Sequence, residues 1–545
     1  MARQIGIPRQ SFSWKRPIGA VDGGARHSRP NEGSVALDGA KKLRALAKPS
    51  LVLSATCLFI HLIVNNQYGV FRDELYFIVC GQHPAWGYVD QPPLVPLIAG
   101  VSHAFFGTAL LPLRLAAALA MTATVGLTAE FARILGGGRF AQGLSGLAVL
   151  VAPIFLADGL LLTTDFLQAL TWLGCSWCLV RLAQTRNERW WIAFGAIVGV
   201  SLLSKYLIVF YLIGLAVGVV ATPLRRSLFQ PWLYVGAAIA FVIVGPNVFW
   251  QAQLGWPFIE VGKAAAGWKN TALSPLSFFG QQVQIVGPAV APVWLASLWS
   301  FSFRPAPSQL RVFPIAYAVM VALFLVLHGK AYYIAAIYPT LLAGGAVAVE
   351  AWIAKPRLRW TAIGIVGGAG ALSMPFVLPI LSPDQTVAYS RALGSSPSSY
   401  GVERIPQGVL PQHLADMFGW REMAAKVAGV YQALPPAERV KAVFFGRNYG
   451  EAAAIDVYGP ALHGPPAISG HNNYFLWGPK GHDGSVVIIV GGDRARLSKV
   501  FGSIEIAGRI DSRFALPNET NIPIYVLREP REPLSALWPT LKHYE

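Results

Sequence analysis

Phe71-Arg-Asp-Glu-Leu-Tyr-Phe-Ile-Val-Cys-Gly-Gln-His-Pro-Ala-Trp-Gly-Tyr-Val-Asp-Gln-Pro-Pro-Leu94 follows an apolar segment, about residues 49–69, of membrane-spanning length. It sets three carboxylates, Asp73, Glu74 and Asp90, among aromatics before a Pro-Pro break. Acids beside hydrocarbon are costly, so a cluster of them marks chemistry or transport rather than packing. Residues 72–82 predict a short helix with Leu75, Ile78 and Val79 on one side. A second is predicted over 92–106, apolar on nearly every face, with Pro92 and Pro93 in its first turn. Such helices lie in the interfacial plane and hold Asp73 and Asp90 at a membrane surface.

Working outward, the composition agrees. The 545 residues are 54% hydrophobic and 13% charged, the balance of an integral membrane protein. Eleven apolar runs have the length needed to cross a hydrocarbon core about 30 Å thick: roughly 49–69, 110–132, 140–157, 164–183, 190–204, 206–223, 232–252, 284–303, 312–328, 332–352 and 360–382. Only Ser204 and Lys205 part the fifth from the sixth.

The net charge of +17 would suggest nucleic acid in a soluble protein. Its distribution points elsewhere. With the N-terminus inside, the inner tail and loops hold 22 Lys and Arg, and the outer loops and helix ends only six: Arg72, Arg114, Lys205, Lys263, Lys269 and Lys330. This bias puts the N-terminus in the cytosol, and eleven spans then put the C-terminal region outside the cytoplasmic membrane. Residues 1–48 are basic, with no apolar core long enough for a signal peptide, and read as a disordered cytosolic tail. The first span is then an uncleaved anchor.

The domains follow: a membrane domain over 49–382 with its outer loop at 70–109, a Ser- and Pro-rich linker over 383–412, and a soluble extracytoplasmic domain over 413–545. In that last part, 413–433 reads as an amphipathic helix. Strands are expected near 440–445, 486–490, 504–507 and 522–527, and helices near 449–458 and 494–501. An α/β fold of about 130 residues is large enough for its own core. Cys175 and Cys178 form a C-x-x-C inside an apolar helix with no second pair, which favours packing over metal or redox chemistry.

Asp73, Glu74, Asp90, Asp158, Asp165 and Glu260 all fall on the outer side, whereas Glu130, Glu188 and Glu350 fall inside. Asp73 reads either as a helix N-cap or as a reactive acid. Lys205-Tyr206 and Lys330-Ala-Tyr332-Tyr333 sit at outer helix ends, where they either snorkel to the interface or hold an anion such as a lipid phosphate. Asn247, Gln251 and Trp256 add amide and indole groups at another outer end. Phe445-Gly-Arg-Asn-Tyr-Gly-Glu451 opens a helix after a strand but lacks nucleotide-loop spacing. His471-Asn-Asn-Tyr-Phe-Leu-Trp477 fits either a carbohydrate contact or docking onto the membrane part.

The Asp73-Glu74 pair, the Asp90-Gln-Pro-Pro93 turn, Thr164-Asp165, Ser204-Lys205 and Lys330-Ala-Tyr-Tyr333 occur in an order that resembles one superfamily. It comprises the dolichyl-phosphate-mannose–protein mannosyltransferases and the bacterial lipid A aminoarabinose transferases. The resemblance covers nearly all of 49–350 and implies a GT-C fold of about 11 transmembrane helices. It also implies an inverting glycosyltransferase whose donor is a sugar on a polyprenyl monophosphate. By position Asp73 matches the catalytic acid, Asp165 a second acid sometimes discussed with metal binding, and Lys205 a residue near the lipid phosphate. The remaining expectations are Glu74 as a secondary catalytic acid; Arg72, Lys330, Tyr332 and Tyr333 at the donor phosphate; and Tyr76, Tyr88, Asp90, Gln91 and Trp256 at the sugar or acceptor. A divalent metal at Asp165 is an open option. The aminoarabinose enzymes have Glu-Lys-Pro-Pro where this chain has Asp90-Gln91-Pro92-Pro93, which argues against that sugar. The acceptor is expected to be lipopolysaccharide or another envelope glycan. A protein hydroxyl is the alternative, and a lipid or solute transporter is the reading from another class.

Overall fold

Each of the eleven apolar runs forms a helix or a helix pair in the computed structural model, which describes residues 48–265, 267, 273–303, 306–394 and 406–545. Most of the tail read at 1–48, Lys269, and 395–405 of the linker lie outside the described residues. Among those described, five helices are long and apolar enough to cross a membrane singly: Leu110–Ile134, Pro231–Gln253, Ser308–Val326, Ala331–Trp352 and Pro356–Val377. Three bent pairs raise the number to eight. The helices Pro49–Val64, Gln168–Thr185 and Trp190–Ser204 account for the other runs. The chain is a mostly helical, multi-span membrane protein.

The bends have local causes. Arg139–Val151 turns by 63° into Pro153–Leu160, and Ile208–Val220 by 107° into Pro223–Phe229. In both, a proline opens the second piece and lacks the N–H that would continue the first. Pro275–Val286 turns by 116° into Ala291–Ser302 across Gly287, whose φ of 103° lies in the region glycine alone enters cheaply.

The loop after the first helix, expected on the outer side, is two helices, Arg72–Gln82 and Leu94–Phe106. They cross at Gly81 and Gly100, where a Cβ on either would run into the other's backbone. The second starts at Leu94 rather than 92, because Pro92 and Pro93 fall in the turn before it.

The C-terminal part carries a five-stranded mixed sheet of order β2-β1-β3-β5-β4: β1 Ala442–Gly446, β2 Ala467–Ser469, β3 Val486–Val490, β4 Phe501–Ile510 and β5 Ile522–Pro530. Strand β1 is parallel to β2 and β3, and β5 is antiparallel to β3 and β4. Every residue of β3 is buried, so the strand reads as the unbroken Val-Val-Ile-Ile-Val run expected of a covered position. The helix expected over 413–433 is two, Gln412–Ala415 and Trp420–Ala433, parted at Gly419 with φ 91°. The segment read as a linker opens with a helix, Pro383–Ala392, capped by Ser382 and Gln385.

The helix Tyr449–Tyr458 packs on the loop helix Arg72–Gln82, and Gly450 lies so close to the Arg72 side chain that a Cβ there would collide with it. The C-terminal part therefore seats on the outer loop. Leu110–Ile134 fixes the two ends of the membrane part. Arg114 near its start meets Glu74, while Glu130 near its end accepts from Ser50 and pairs with Arg133. With the basic loops cytosolic, alkaline phosphatase fused after residue 545 is expected to be active, and a fusion near Arg186 inactive. The opposite pattern would put the acids of the outer loop in the cytosol.

Candidate active site

Glu74 and Arg114 form the foundation of the site. Neither side chain has exposed surface. The carboxylate accepts from Arg114 Nε and Nη2, each at 2.9 Å, from the Leu162 amide at 3.0 Å and from the Phe71 amide at 2.9 Å. Arg114 also donates to the carbonyls of Asn65 at 3.1 Å and Gly69 at 2.8 Å. One ion pair thus joins the first helix's end, the loop helix, Leu110–Ile134 and the chain after Leu161. The Phe71 contact caps the loop helix, so the capping role considered for Asp73 belongs to Glu74. Enclosed on every side, Glu74 has no face for an incoming hydroxyl. Its geometry is that of a structural anchor rather than the secondary catalytic acid expected.

Its neighbour points the other way. Asp73 is 29% exposed, and both its polar contacts fall on Oδ1: the Tyr449 hydroxyl donates at 2.7 Å and Arg72 Nε lies at 3.3 Å. Among the described residues Oδ2 receives no bond. Arg72 lies 5.6 Å above the Tyr449 ring and 3.9 Å from Asp416, which places it with the acid and the C-terminal part. Asp90 accepts from the Tyr76 hydroxyl at 3.0 Å. Asn473 binds the same turn, accepting from the Val89 amide at 2.7 Å and donating its own amide to Tyr76 at 3.2 Å.

The cations form a second group. Lys205 Nζ is 2.7 Å from Asp165 Oδ2. It also lies 5.5 Å from the Tyr333 ring centre and 6.0 Å from that of Tyr332, which Lys330 faces at 5.8 Å. The two lysines thus converge on one pair of tyrosines, whose ring faces attract ammonium groups. Hydrogen bonds tie Tyr206, the chain neighbour of Lys205, to the loop after the first helix. Tyr206 donates to Asn247 at 2.7 Å, and Asn247 and Gln251 donate to the carbonyls of Trp86 and Tyr88 at 2.9 and 3.0 Å.

Not every expected residue faces this space. Tyr88 and Gln91 are buried, and the Tyr88 hydroxyl donates to the Cys80 carbonyl at 2.8 Å, so both shape the turn that presents Asp90. Trp256 is 44% exposed with φ 61°. The residues the sequence did not single out as site residues are Arg114, Tyr449 and Asn473. An arginine four residues into an apolar run was the available signal for the first; the other two depend on docking.

Two places have donors for a cation. A divalent ion at Asp165 would meet the Lys205 ammonium already paired there, and the two positive charges would repel. The side-chain donors of His471, His543 and Glu545 lie within 4.8 Å of one another. The Tyr449 amide, however, donates to His471 Nδ1 at 3.4 Å, which places the proton of the neutral ring on Nε2, the nitrogen facing Glu545. A protonated nitrogen has no lone pair to give a metal, so His471 does not fit as a ligand there.

Residues 90–250 match the family described as dolichyl-phosphate-mannose-protein mannosyltransferase. This range takes in Asp90, Asp165, Lys205 and Asn247. ArnT from Cupriavidus metallidurans has the same fold in its apo state: the TM-score is 0.59, at 17% identity over 90% of this chain and 98% of that one. Bound to undecaprenyl phosphate it gives 0.58 at 18% identity, over 87% and 97%. The lipid A galacturonosyltransferase RgtD of Rhizobium johnstonii is 23% identical over 234 residues, 42% of this chain and 48% of that protein. The chain thus matches about half the length of this curated relative. The chain is thus similar to that mannosyltransferase family over residues 90–250 and has an ArnT-like GT-C fold.

Glu74→Gln leaves the Arg114 charge buried without its counter-charge, a loss expected to cost about 3–5 kcal/mol. Replacing both residues with apolar ones of similar volume is expected to recover most of it. Melting of the purified protein in detergent checks both. A Glu74→Gln protein that melts like the wild type yet transfers nothing would return Glu74 to the catalytic role.

Proposed function

We propose that this protein moves a sugar from a polyprenyl monophosphate onto a lipid A-type acceptor at the outer face of the cytoplasmic membrane. The observation that carries the reading is the contrast between neighbouring acids. Glu74 is enclosed, whereas Asp73 keeps one carboxylate oxygen open beside a loop that hydrogen bonds tie to Tyr206, the chain neighbour of Lys205. In the reaction an acceptor hydroxyl attacks the anomeric carbon while Asp73 takes its proton. The bond from that carbon to the phosphate oxygen breaks, and the phosphate leaves with the bonding pair. Attack opposite the leaving group inverts the anomeric centre. Lys205 and Lys330 offset the charge that develops on the leaving oxygen, where fixed cations act most strongly. Phosphate leaves readily, so no separate general acid is needed, and no step runs through a metal.

The ArnT structure named for undecaprenyl phosphate supports the donor class, and RgtD's name supports the acceptor. The Asp90-Gln91 departure argues for a sugar other than aminoarabinose. A protein hydroxyl as acceptor would use the same base and clamp, and differs only in what reaches Asp73. Transport is less well supported, since these ionisable groups gather at helix ends rather than at breaks near mid-membrane.

Purified protein given undecaprenyl-phosphate-linked hexuronic acid, hexose or aminopentose, with lipid A as acceptor, tests the reading. Asp73→Asn retains an oxygen for Tyr449 and is expected to fold normally while transfer drops about 100-fold or more, the scale of a general base. Normal transfer by this variant would refute the mechanism.

Lys330→Ala is expected to weaken binding of undecaprenyl phosphate by about 1.5–3 kcal/mol, the range for hydrogen bonds to charged groups. Lys205→Ala is expected to do the same. Unchanged affinity in both variants would mean that the lysines only snorkel to the interface.

A further inference from the structure

Asp73 belongs to the membrane part, but the group that fixes its carboxylate comes from 376 residues further along the chain. The Tyr449 hydroxyl donates to Oδ1 at 2.7 Å. Arg72 contacts the same oxygen, so Oδ2 is the one left without a bond among the described residues. Burial pushes the Tyr449 hydroxyl well above its ordinary ionisation range, so it remains a donor.

Tyr449 is itself held on several sides. Its amide donates to His471, its ring lies 4.7 Å from that of Tyr76, and the Arg72 guanidinium covers its face. It opens a helix whose N-cap, Asn448, accepts from the Glu451 amide at 2.9 Å. The segment carrying His471 is pinned by two backbone bonds of 2.9 Å, from Asn472 to the His543 carbonyl and from His543 to the Gly470 carbonyl. A hydroxyl bonded to a surface acid needs none of this support. So much fixed structure behind one hydrogen bond is what positioning a reacting group requires, since misplacement by about 1 Å can cost 100-fold in rate.

We propose that Tyr449 is a positioning residue for Asp73, so that the C-terminal domain is a working part of the transferase site and not an appendage to it. The inference rests on the reading of Asp73 as the base. It adds that the base is competent only when the C-terminal domain is docked.

Tyr449→Phe removes the hydroxyl and keeps the ring, so melting of the full-length protein in detergent is expected to be nearly unchanged. With labelled undecaprenyl-phosphate-linked sugar and lipid A, kcat is expected to fall about tenfold or more, as for loss of a hydrogen bond to a charged group. The donor KM should stay within about twofold, and binding of undecaprenyl phosphate alone should not change. In an Asp73→Asn background, Tyr449→Phe is expected to cause no further loss, because a residue acting only through Asp73 has nothing left to act on. Normal kcat in a folded Tyr449→Phe protein would overturn the proposal. So would an equal loss with and without Asp73, or a change confined to KM. Should Asp73→Asn transfer sugar normally, the reading of the base fails and this inference with it. Should Asp73→Asn be inactive while Tyr449→Phe behaves as wild type, only the inference fails.

Discussion

A carboxylate with no exposed surface must have every lone pair answered, because an unpaired buried charge costs several kcal/mol. Glu74 meets that condition through two donors of Arg114 and the amides of Phe71 and Leu162. With the Asn65 carbonyl that Arg114 also meets, these partners belong to four segments of the chain, so satisfying one ion pair fixes their relative positions. The loop helix is capped by this carboxylate, and its orientation follows from the pair. Asp73, one residue before this buried carboxylate, keeps 29% of its side chain exposed.

From that anchor the rest of the site can be traced through contacts. The loop turn at 86–91 is held from the membrane side by Asn247 and Gln251 and from the other side by Asn473. The lysine and tyrosine group sits next to the first of these contacts through Tyr206. An acid and a cation site on different helices can keep a fixed separation only if something rigid joins them. Here the joining piece is the turn itself, which explains why Tyr88 and Gln91 are buried within it. Tyr88 and Gln91, expected to touch substrate, hold this turn together instead.

The apolar runs, the two loop helices and most strands were readable because periodicity and length determine them locally. The paired lysines were readable as charges on the side that should lack them. Other features were not. Strand β2 has three residues, too few to show a pattern. The linker helix at Pro383–Ala392 is polar and depends on its Ser382 cap. The division of labour between Asp73 and Glu74 was invisible, since adjacent acids differ only in which way each points. Arg114 looked like one more outer charge, and only its partner shows why it lies in an apolar helix. Asn473 could be seen within an aromatic and amide mixture, with docking as one of two readings, and Tyr449 only within a loop that opens a helix. Which residue they meet is a long-range fact that no local pattern carries.

The claim on which the account depends is that the acid of the loop and the two lysines face one substrate. A cryo-electron microscopy structure of the protein in nanodiscs with undecaprenyl phosphate tests it most directly. The account predicts the phosphate within hydrogen-bonding or ion-pairing distance of Lys205 and Lys330, with Asp73 Oδ2 facing the space beyond it and Tyr449 still bonded to Oδ1. A phosphate bound away from both lysines, or an Asp73 carboxylate turned from it, would contradict the account.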